Sequence, residues 1–530
     1  MELFPSNHSG ISVEVAINTP SVAFYNATTS YISFCRETLG VQPTYELWST
    51  IGVCLFLVAF PIVTTLYSYM TSPIRNIPGP RLAALTRWYE FYYNAIKSFQ
   101  YAQKVAELHE QYGPIVRINP NEVHIHDPEF HSTFATKFKD VIRKDPWYYN
   151  MGAPGAVFLT TDPTVHKARR EELKPHMNGQ LAQATPKLLQ RKSDELCAIL
   201  RSYSISSQPI NLSDAYRSLG HDLIAPALLG EDYEQLLSQK DLGHNLLPNR
   251  ELFRLASISR MFPTVAKVVP YLISSSMQEK YVPVLRFGTL IAEKVTGFAK
   301  SSQERMDKEY IAEVLVKDEK NFNKRATVDN TVSLILAGGE AIAHSLVHAS
   351  FHLMQNMEMQ DSLREDLSSG EFRNNMTYNE LLAGFPYLKA VAKEGLRTEH
   401  QNVFRFPRIS SVPIQYGGYT IPAGTVITTS RTSIHQNPEA FPDPGSFKPE
   451  RWLAPDISKL NKNFAPFGKG PMACMGIRLS QSSTYYTLAR IFSEFELRAV
   501  VDLEALKRDG TLEVYPNSRA KGLWVTVKKI

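Results

Sequence analysis

One cysteine carries the clearest chemical signal in this chain of 530 residues. Cys474 lies in Phe464-Ala465-Pro466-Phe467-Gly468-Lys469-Gly470-Pro471-Met472-Ala473-Cys474-Met475-Gly476, directly before the helical run IRLSQSSTYYTLARIFSEF. A thiol between a glycine turn and a helix start meets free backbone N–H groups and the positive end of the helix dipole, both of which favour thiolate. Such a thiolate suits an axial iron ligand. Gly468 and Gly470 allow a tight turn beneath a planar group around Phe467, and Gly476 permits close approach where a side chain would collide. The same pattern suits a buried packing cysteine, so its neighbours have to decide. Cys35, Cys54 and Cys197 show no zinc-knuckle or Cys-x-x-Cys spacing, and the fold is not stapled.

Two further groupings bear on the chemistry. Gly338 and Gly339 precede Glu340 inside the helical run VDNTVSLILAGGEAIAHSLVHASFHLM. Each helix-interior glycine costs about 1 kcal/mol relative to alanine. The pair therefore marks either an opening beside a reaction centre or a helix packed closely on a neighbour. Glu394 and Arg397 stand at i and i+3, a spacing that on a solvated helix is worth a few tenths of a kcal/mol.

These residues need a scaffold, and the chain from about 85 to 400 is dominated by helical patterns such as YAQKVAELHEQYG and SDELCAILRSYS. Strand-like pieces are short: PIVRINPNEVHIH at 114–126 and VPIQYGGYTIPAGTVITTS at 412–430, where Gly417-Gly418 suits a hairpin turn. The expected fold is mainly α with a small β region, as one large domain. Hydrophobic residues at 43%, charged residues at 21%, 27 Gly and 33 Pro exclude a disordered, collagenous or coiled-coil chain. Lys plus Arg exceed Asp plus Glu by 57 to 52, too little to imply a nucleic-acid partner.

Leu47 to Ile74 contains no Asp, Glu, Lys or Arg, and LWSTIGVCLFLVAFPIVTTLYSYM at 47–70 is long enough to cross a bilayer as a helix. It lies too far from Met1, and lacks the basic flank, to be a cleaved signal. Cations after it (Arg75, Arg81, Arg87, Lys97, Lys104) place the bulk of the chain in the cytosol. The expected organisation is a lumenal tail at 1–46, an anchor at 47–70, a proline-rich hinge at 71–84 and a catalytic domain at 85–530. Glycosylation sequons stand in the tail at Asn7 and Asn26. The stretch 251–275 mixes apolar residues with cations and suits either a second membrane contact or core packing.

On the residues of the thiol loop the sequence resembles the cytochrome P450 superfamily, whose heme loop F-G/S-x-G-x-R-x-C-x-G is matched from Phe467 to Gly476 except at Met472. The resemblance runs from the proline hinge to the end, and it implies the cytochrome P450 fold behind one N-terminal transmembrane helix. Glu394-Gly395-Leu396-Arg397 is similar to the family's ExxR, and Phe447-Lys448-Pro449-Glu450-Arg451-Trp452 to its PERF-like segment. The resemblance implies a buried network of Glu394, Arg397 and Arg451 beneath the heme loop. Ala337-Gly338-Gly339-Glu340 resembles A-G-x-D/E-T-T, implying catalytic roles for Gly338, Gly339 and Glu340 in a local opening for dioxygen. His166-Lys167-Ala168-Arg169-Arg170 resembles W-x-x-x-R with His for Trp. His166, Arg170 and Arg405 are thereby candidate partners of the heme carboxylates, or else solvated surface charges.

IPGPRLAALTRWYEFYY, LHEQYGPIVRINPNEVHIHDPEF and IHQNPEAFPDPGSFKPERWL look like membrane-anchored fungal enzymes of the trichodiene oxygenase-like group. That implies a monooxygenase in the endoplasmic reticulum membrane acting on a lipophilic terpenoid or polyketide intermediate of secondary metabolism. Implied cofactors and partners are heme b with Cys474 as axial thiolate, dioxygen, and NADPH-cytochrome P450 reductase, through which NADPH and flavins enter. Two positions depart from the pattern. Ala341 and Ile342 stand where the family carries Thr after the acid, leaving proton delivery to Glu340, water or the substrate; Met472 replaces an Arg that binds a heme carboxylate. A heme-thiolate isomerase or dehydratase, and a heme protein that binds without turnover, are the alternatives.

Overall fold

The computed structural model describes residues 45–97, 100–138, 140–178, 180–229, 249–272, 289, 291–297, 323–399, 405–500 and 522–530. Asn7 and Asn26 lie outside them, as does the last part of the 251–275 stretch. The chain divides into Met1–Thr71 and Ser72–Ile530. In the first unit one helix runs from Tyr45 to Thr71 with Pro61 inside it. Its span Ser49–Thr71 is 23 residues, none of its apolar window buried, about 35 Å of helix against a hydrocarbon core of about 30 Å.

The second unit is helical around three small sheets. Strands β1 (Ile115–Asn119), β2 (Glu122–Ile125), β3 (Ile142–Lys144), β5 (Arg408–Ser410) and β8 (Val426–Thr429) form one sheet in the order β1-β2-β8-β5-β3. Strand β4 (Ile210–Asn211) joins β10 (Trp524–Lys529) and β9 (Phe495–Ala499), and β6 (Ile414–Tyr416) pairs with β7 (Tyr419–Ile421). Gly417 and Gly418 both have positive φ, 56° and 81°, between β6 and β7. Two such residues make the hairpin turn whose twist matches its strands.

The proline-rich stretch is docked. Ile74 and Ile77 are buried with Ile115, Val123 and Ile427 in one apolar cluster, and Pro78 O accepts the Arg117 N–H at 2.7 Å. Gly79 is needed there, because a Cβ would overlap the Arg117 carbonyl.

The main core surrounds a central helix, Lys324–Gln355, begun by Asn323, whose side chain accepts the Ala326 N–H. A crossing helix, Leu212–Asp222, packs along it. The helix Pro386–Thr398 carries Glu394 and Arg397, and Ile477–Phe492 follows the thiol loop. These four hold the residues singled out above.

Candidate active site

Most of the central helix is buried, yet Leu334, Ala337 and Ala341, at i, i+3 and i+7, keep exposed surface in the middle of the unit. Cys474 is also exposed, although protein encloses it closely enough for desolvation to push its thiol above the usual range. An apolar helix stripe that keeps exposed surface, and an enclosed thiol that does the same, suit a site that receives a bound group. The loop itself has the geometry of a ligand cradle. Cys474 N–H donates to Phe467 O at 3.0 Å, and Gly476 N–H donates to Cys474 Sγ at 3.3 Å. Gly468 and Gly470 have φ of 72° and 74°, and a Cβ on Gly470 would overlap the Ala135 carbonyl. The Gly476 N–H, Arg431 and Arg170 all favour the Cys474 anion, but burial outweighs them. A metal coordinated here would deprotonate the thiol.

An anion-seeking cluster lies near the thiol. His166 and Arg170 stand one turn apart on the helix Pro163–Asn178, and Arg170 senses the Cys474 charge. Burial first, then Lys144, Arg170 and Arg408, push His166 down to about 4. Burial first, then Arg408 and Arg170, push Lys144 down to about 7. Lys144 Nζ donates to the carbonyls of Val157 and Phe158, at 3.0 and 2.7 Å, and lies 5.3 and 5.7 Å from the Tyr149 and Phe158 ring centres. Arg408 donates to Tyr149 Oη at 2.6 Å and the Pro407 carbonyl at 3.0 Å. Arg170 also senses Glu171, but basic groups gathered in a partly desolvated place favour further anions, and the two carboxylates of a heme would supply them. The residues present fit heme as the group facing Cys474.

Arg405 is not in this cluster. It pairs with Glu90 and Glu122, each at 3.0 Å, and lies over the Tyr101 and Tyr148 rings. The guanidinium is 4% exposed and already satisfied by two buried carboxylates. This differs from the heme-carboxylate contact expected of it. Met472 sits half-buried in the short turn Gly470–Met472.

Gly338, Gly339 and Glu340 belong to the other side of the central helix. A Cβ on Gly338 would overlap Ile224, one on Gly339 would come 2.7 Å from the His221 ring, and one on Gly220 would overlap the Gly339 carbonyl. The missing side chains thus let two helices cross closely, instead of opening a passage. Glu340 is 1% exposed, with Oε1 3.0 Å from Arg217 Nη2 and 3.3 Å from His221 Nε2. Burial alone would raise its pKa, but Arg217 and His221 overcome that and hold it at about 2. A folded-state value depressed below the ordinary 4.5 gives stability that is present above about pH 4.5 and lost as pH falls toward 2. The shift corresponds to about 3 kcal/mol. Between pH 5 and pH 3 wild type is expected to lose more thermal stability in detergent than Glu340→Gln; equal losses would exclude this ion pair.

The thiol loop rests on a closed polar network. Glu394 and Arg397, both fully buried, pair through two bonds of 2.7 and 2.9 Å. Arg451 reaches Glu394 at 3.0 Å. Trp452 Nε1–H and the Lys448 N–H complete the carboxylate at 2.8 and 2.9 Å. Arg397 also donates to the carbonyls of His435, Pro444 and Ser446. His435 Nε2 in turn accepts the Ala465 N–H, at the start of the thiol loop. Trp452, Lys144, Arg408, Arg217 and His221 were not readable as site residues. Only the i, i+4 spacing of Arg217 and His221 signalled that both face one neighbour.

Comparison with known proteins agrees with this architecture. Residues 84–515 match the family described as Cytochrome P450. The chain is 28% identical to N-acetyltryptophan 6-hydroxylase of Emericella nidulans, over 92% of this chain and 98% of that protein. It is 30% identical to cytochrome P450 monooxygenase TRI4 of Trichoderma arundinaceum, over 81% and 86%. Identity to tryptophan 6-hydroxylase of Fusarium equiseti is 28%, over 86% and 93%. The matched span takes in the thiol loop, the Glu394 network and the central helix alike, and the chain therefore belongs to the cytochrome P450 family, as a P450 monooxygenase.

Proposed function

We propose that this monooxygenase inserts oxygen into a lipophilic terpenoid or polyketide intermediate, with heme b ligated by Cys474 and its carboxylates met by His166, Arg170, Lys144 and Arg408. The observation that carries the reading is the exposed thiol of Cys474, with Arg170 close enough to feel its charge and Lys144 and Arg408 gathered around Arg170. Bound heme-thiolate supplies dioxygen activation and O–O cleavage; the chain's own residues ligate, orient and close the site. Gly468 and Gly470 let the loop turn tightly ahead of Cys474, which would hold the heme, and Glu394, Arg397 and Arg451 would support that loop. Electrons come from NADPH through a cytochrome P450 reductase. An indole amino acid derivative is the second substrate reading, favoured by the names of the two tryptophan hydroxylases.

The working place we propose is the endoplasmic reticulum membrane, with the helix Tyr45–Thr71 as anchor, the tail lumenal and glycosylated at Asn7 and Asn26, and the catalytic domain cytosolic. An apolar surface supports a second membrane contact: Leu82, Trp88, Tyr92, Ile96, Val265, Val268 and Leu272 are all exposed. Phe262 meets Trp88 and Phe91 edge-on at 5.7 and 5.9 Å, which joins the two stretches into one face.

The test is product analysis from membranes expressing this protein with a reductase, fed terpenoid, polyketide and indole substrates. In parallel, Cys474→Ser is expected to abolish the red-shifted Soret band of the reduced carbon monoxide complex. Cys197→Ser, at a fully buried packing position, should leave it intact. An unchanged band in Cys474→Ser would sink the ligand assignment; turnover of none of the three classes would sink the substrate reading.

A further inference from the structure

The helix Tyr101–Tyr112 lies against the β1–β2 hairpin, and its last turn meets the hairpin through imidazole rings. His109 Nδ1 is 2.7 Å from the Gly113 carbonyl, and His109 Nε2 is 2.6 Å from His124 Nδ1 on β2. Their ring centres are 4.8 Å apart, and a third ring, His126, stands 5.2 Å from His109. His109 and His124 are 9% and 2% exposed, and His126 is half-buried. One arrangement of protons satisfies the neutral chain. A carbonyl only accepts, so His109 carries its hydrogen on Nδ1, and its bare Nε2 accepts from His124 Nδ1–H.

We propose that these three histidines form an acid-sensitive latch, which holds the helix Tyr101–Tyr112 on the sheet while neutral and releases it once His109 and His124 must both be charged. One added proton leaves the bond between them intact, because His124 Nε2 takes it. A second goes to His109 Nε2, where N–H would face N–H. Release is therefore linked to at least two protons. Burial first, then His126, push His109 down to about 4, against the pull of the Gly113 carbonyl. Burial first, then His109, His126, Arg405 and His131, hold His124 well below the usual histidine range. Burial lowers His126 too, and Asp127 opposes it there. Arg405 is itself paired with Glu90 and Glu122, and on the helix Lys104 pairs with Glu107. Folded values lowered beneath the ordinary 6.5 leave stability whole above about pH 6.5 and remove it as pH falls toward 4. What loosens is the floor under the proline-rich stretch, since β1 and β2 give Ile115 and Val123 to the cluster that buries Ile74 and Ile77.

The experiment is hydrogen exchange of the full, heme-loaded chain in detergent between about pH 7 and pH 4.5, with each amide corrected for its intrinsic pH dependence. Each proton taken up on opening changes the opening constant about tenfold per pH unit, so two give about 100-fold. In wild type, protection over 101–126 should fall on that slope below about pH 6, while the helix Ile477–Phe492 stays protected. His109→Phe with His124→Phe keeps two rings and removes both titrating groups, so the dependence should flatten to less than about tenfold per pH unit. His126→Phe removes one titrating group and its repulsion but touches neither bond, so protection should persist to lower pH. That single change tests the idea even if the double variant fails to fold. A wild-type slope of about tenfold or less per pH unit overturns the latch. So does equal loss of protection in Ile477–Phe492, which reports unfolding of the whole domain, or a pH dependence that His126→Phe leaves unmoved.

Discussion

Arg397→Ala is expected to abolish the folded state that retains heme. Glu394 is fully buried and takes four donors: Arg397, Arg451, the Trp452 indole and the Lys448 backbone. Arg397 is the only bidentate one of these, and it also donates to three carbonyls beneath the thiol loop. Breaking one side of a buried ion pair costs about 3–5 kcal/mol, a large part of the 5–15 kcal/mol that stabilises a typical domain. Arg397→Lys keeps the charge but not the planar fork, so it should recover only part of the loss. Heme content and unfolding midpoint after purification in detergent measure the effect. An unfolding free energy within about 1 kcal/mol of wild type would show that Arg451 and Trp452 suffice.

The second large effect is steric. Gly220→Ala puts a methyl group into the Gly339 backbone carbonyl, which cannot yield as a side-chain tip can. Gly339→Ala presses on the His221 ring from the other helix and drives it from Glu340. Overpacking of this kind costs about 1–3 kcal/mol or more. Both substitutions force apart the same crossing, so the double variant should lose less than the sum of the singles. Gly445→Ala, with open space where its Cβ would be, is the control and should stay within about 0.5 kcal/mol. Strict additivity, as read by thermal unfolding, would mean that the two glycines act independently.

The reach of sequence reasoning followed the range of the interactions. The strand pairs at 115–125 and 414–421 were legible because alternation and paired glycines are local signals. The Glu394 network was legible only through family resemblance, since i, i+3 spacing does not reveal that its third and fourth members come from 451 and 452. Arg405 shows the limit. Its partners Glu90 and Glu122 lie about 300 residues away in sequence, and no local pattern selects them over a heme carboxylate. The glycine pair at 338–339 allowed two readings, and Gly220 decides between them. At Cys474 the helix start and N–H groups were readable, while the enclosure that outweighs them is a property of the assembled fold.

The pairing of β2 with β8 has a consequence for how the protein is made. Residues 122–125 wait for residues 426–429, and 210–211 wait for 524–525. At about 5–20 residues per second of synthesis, a gap of about 300 residues is on the order of 15–60 s. During that interval β2, with Val123 and Ile125 destined for the core, offers an open edge on the ribosome-bound chain. Loop closure over such distances is also slow. Completion of the sheet, and with it the floor on which the proline-rich stretch docks, is therefore a late event of biosynthesis, and the yield of native enzyme depends on keeping that edge unpaired until the partner strand emerges.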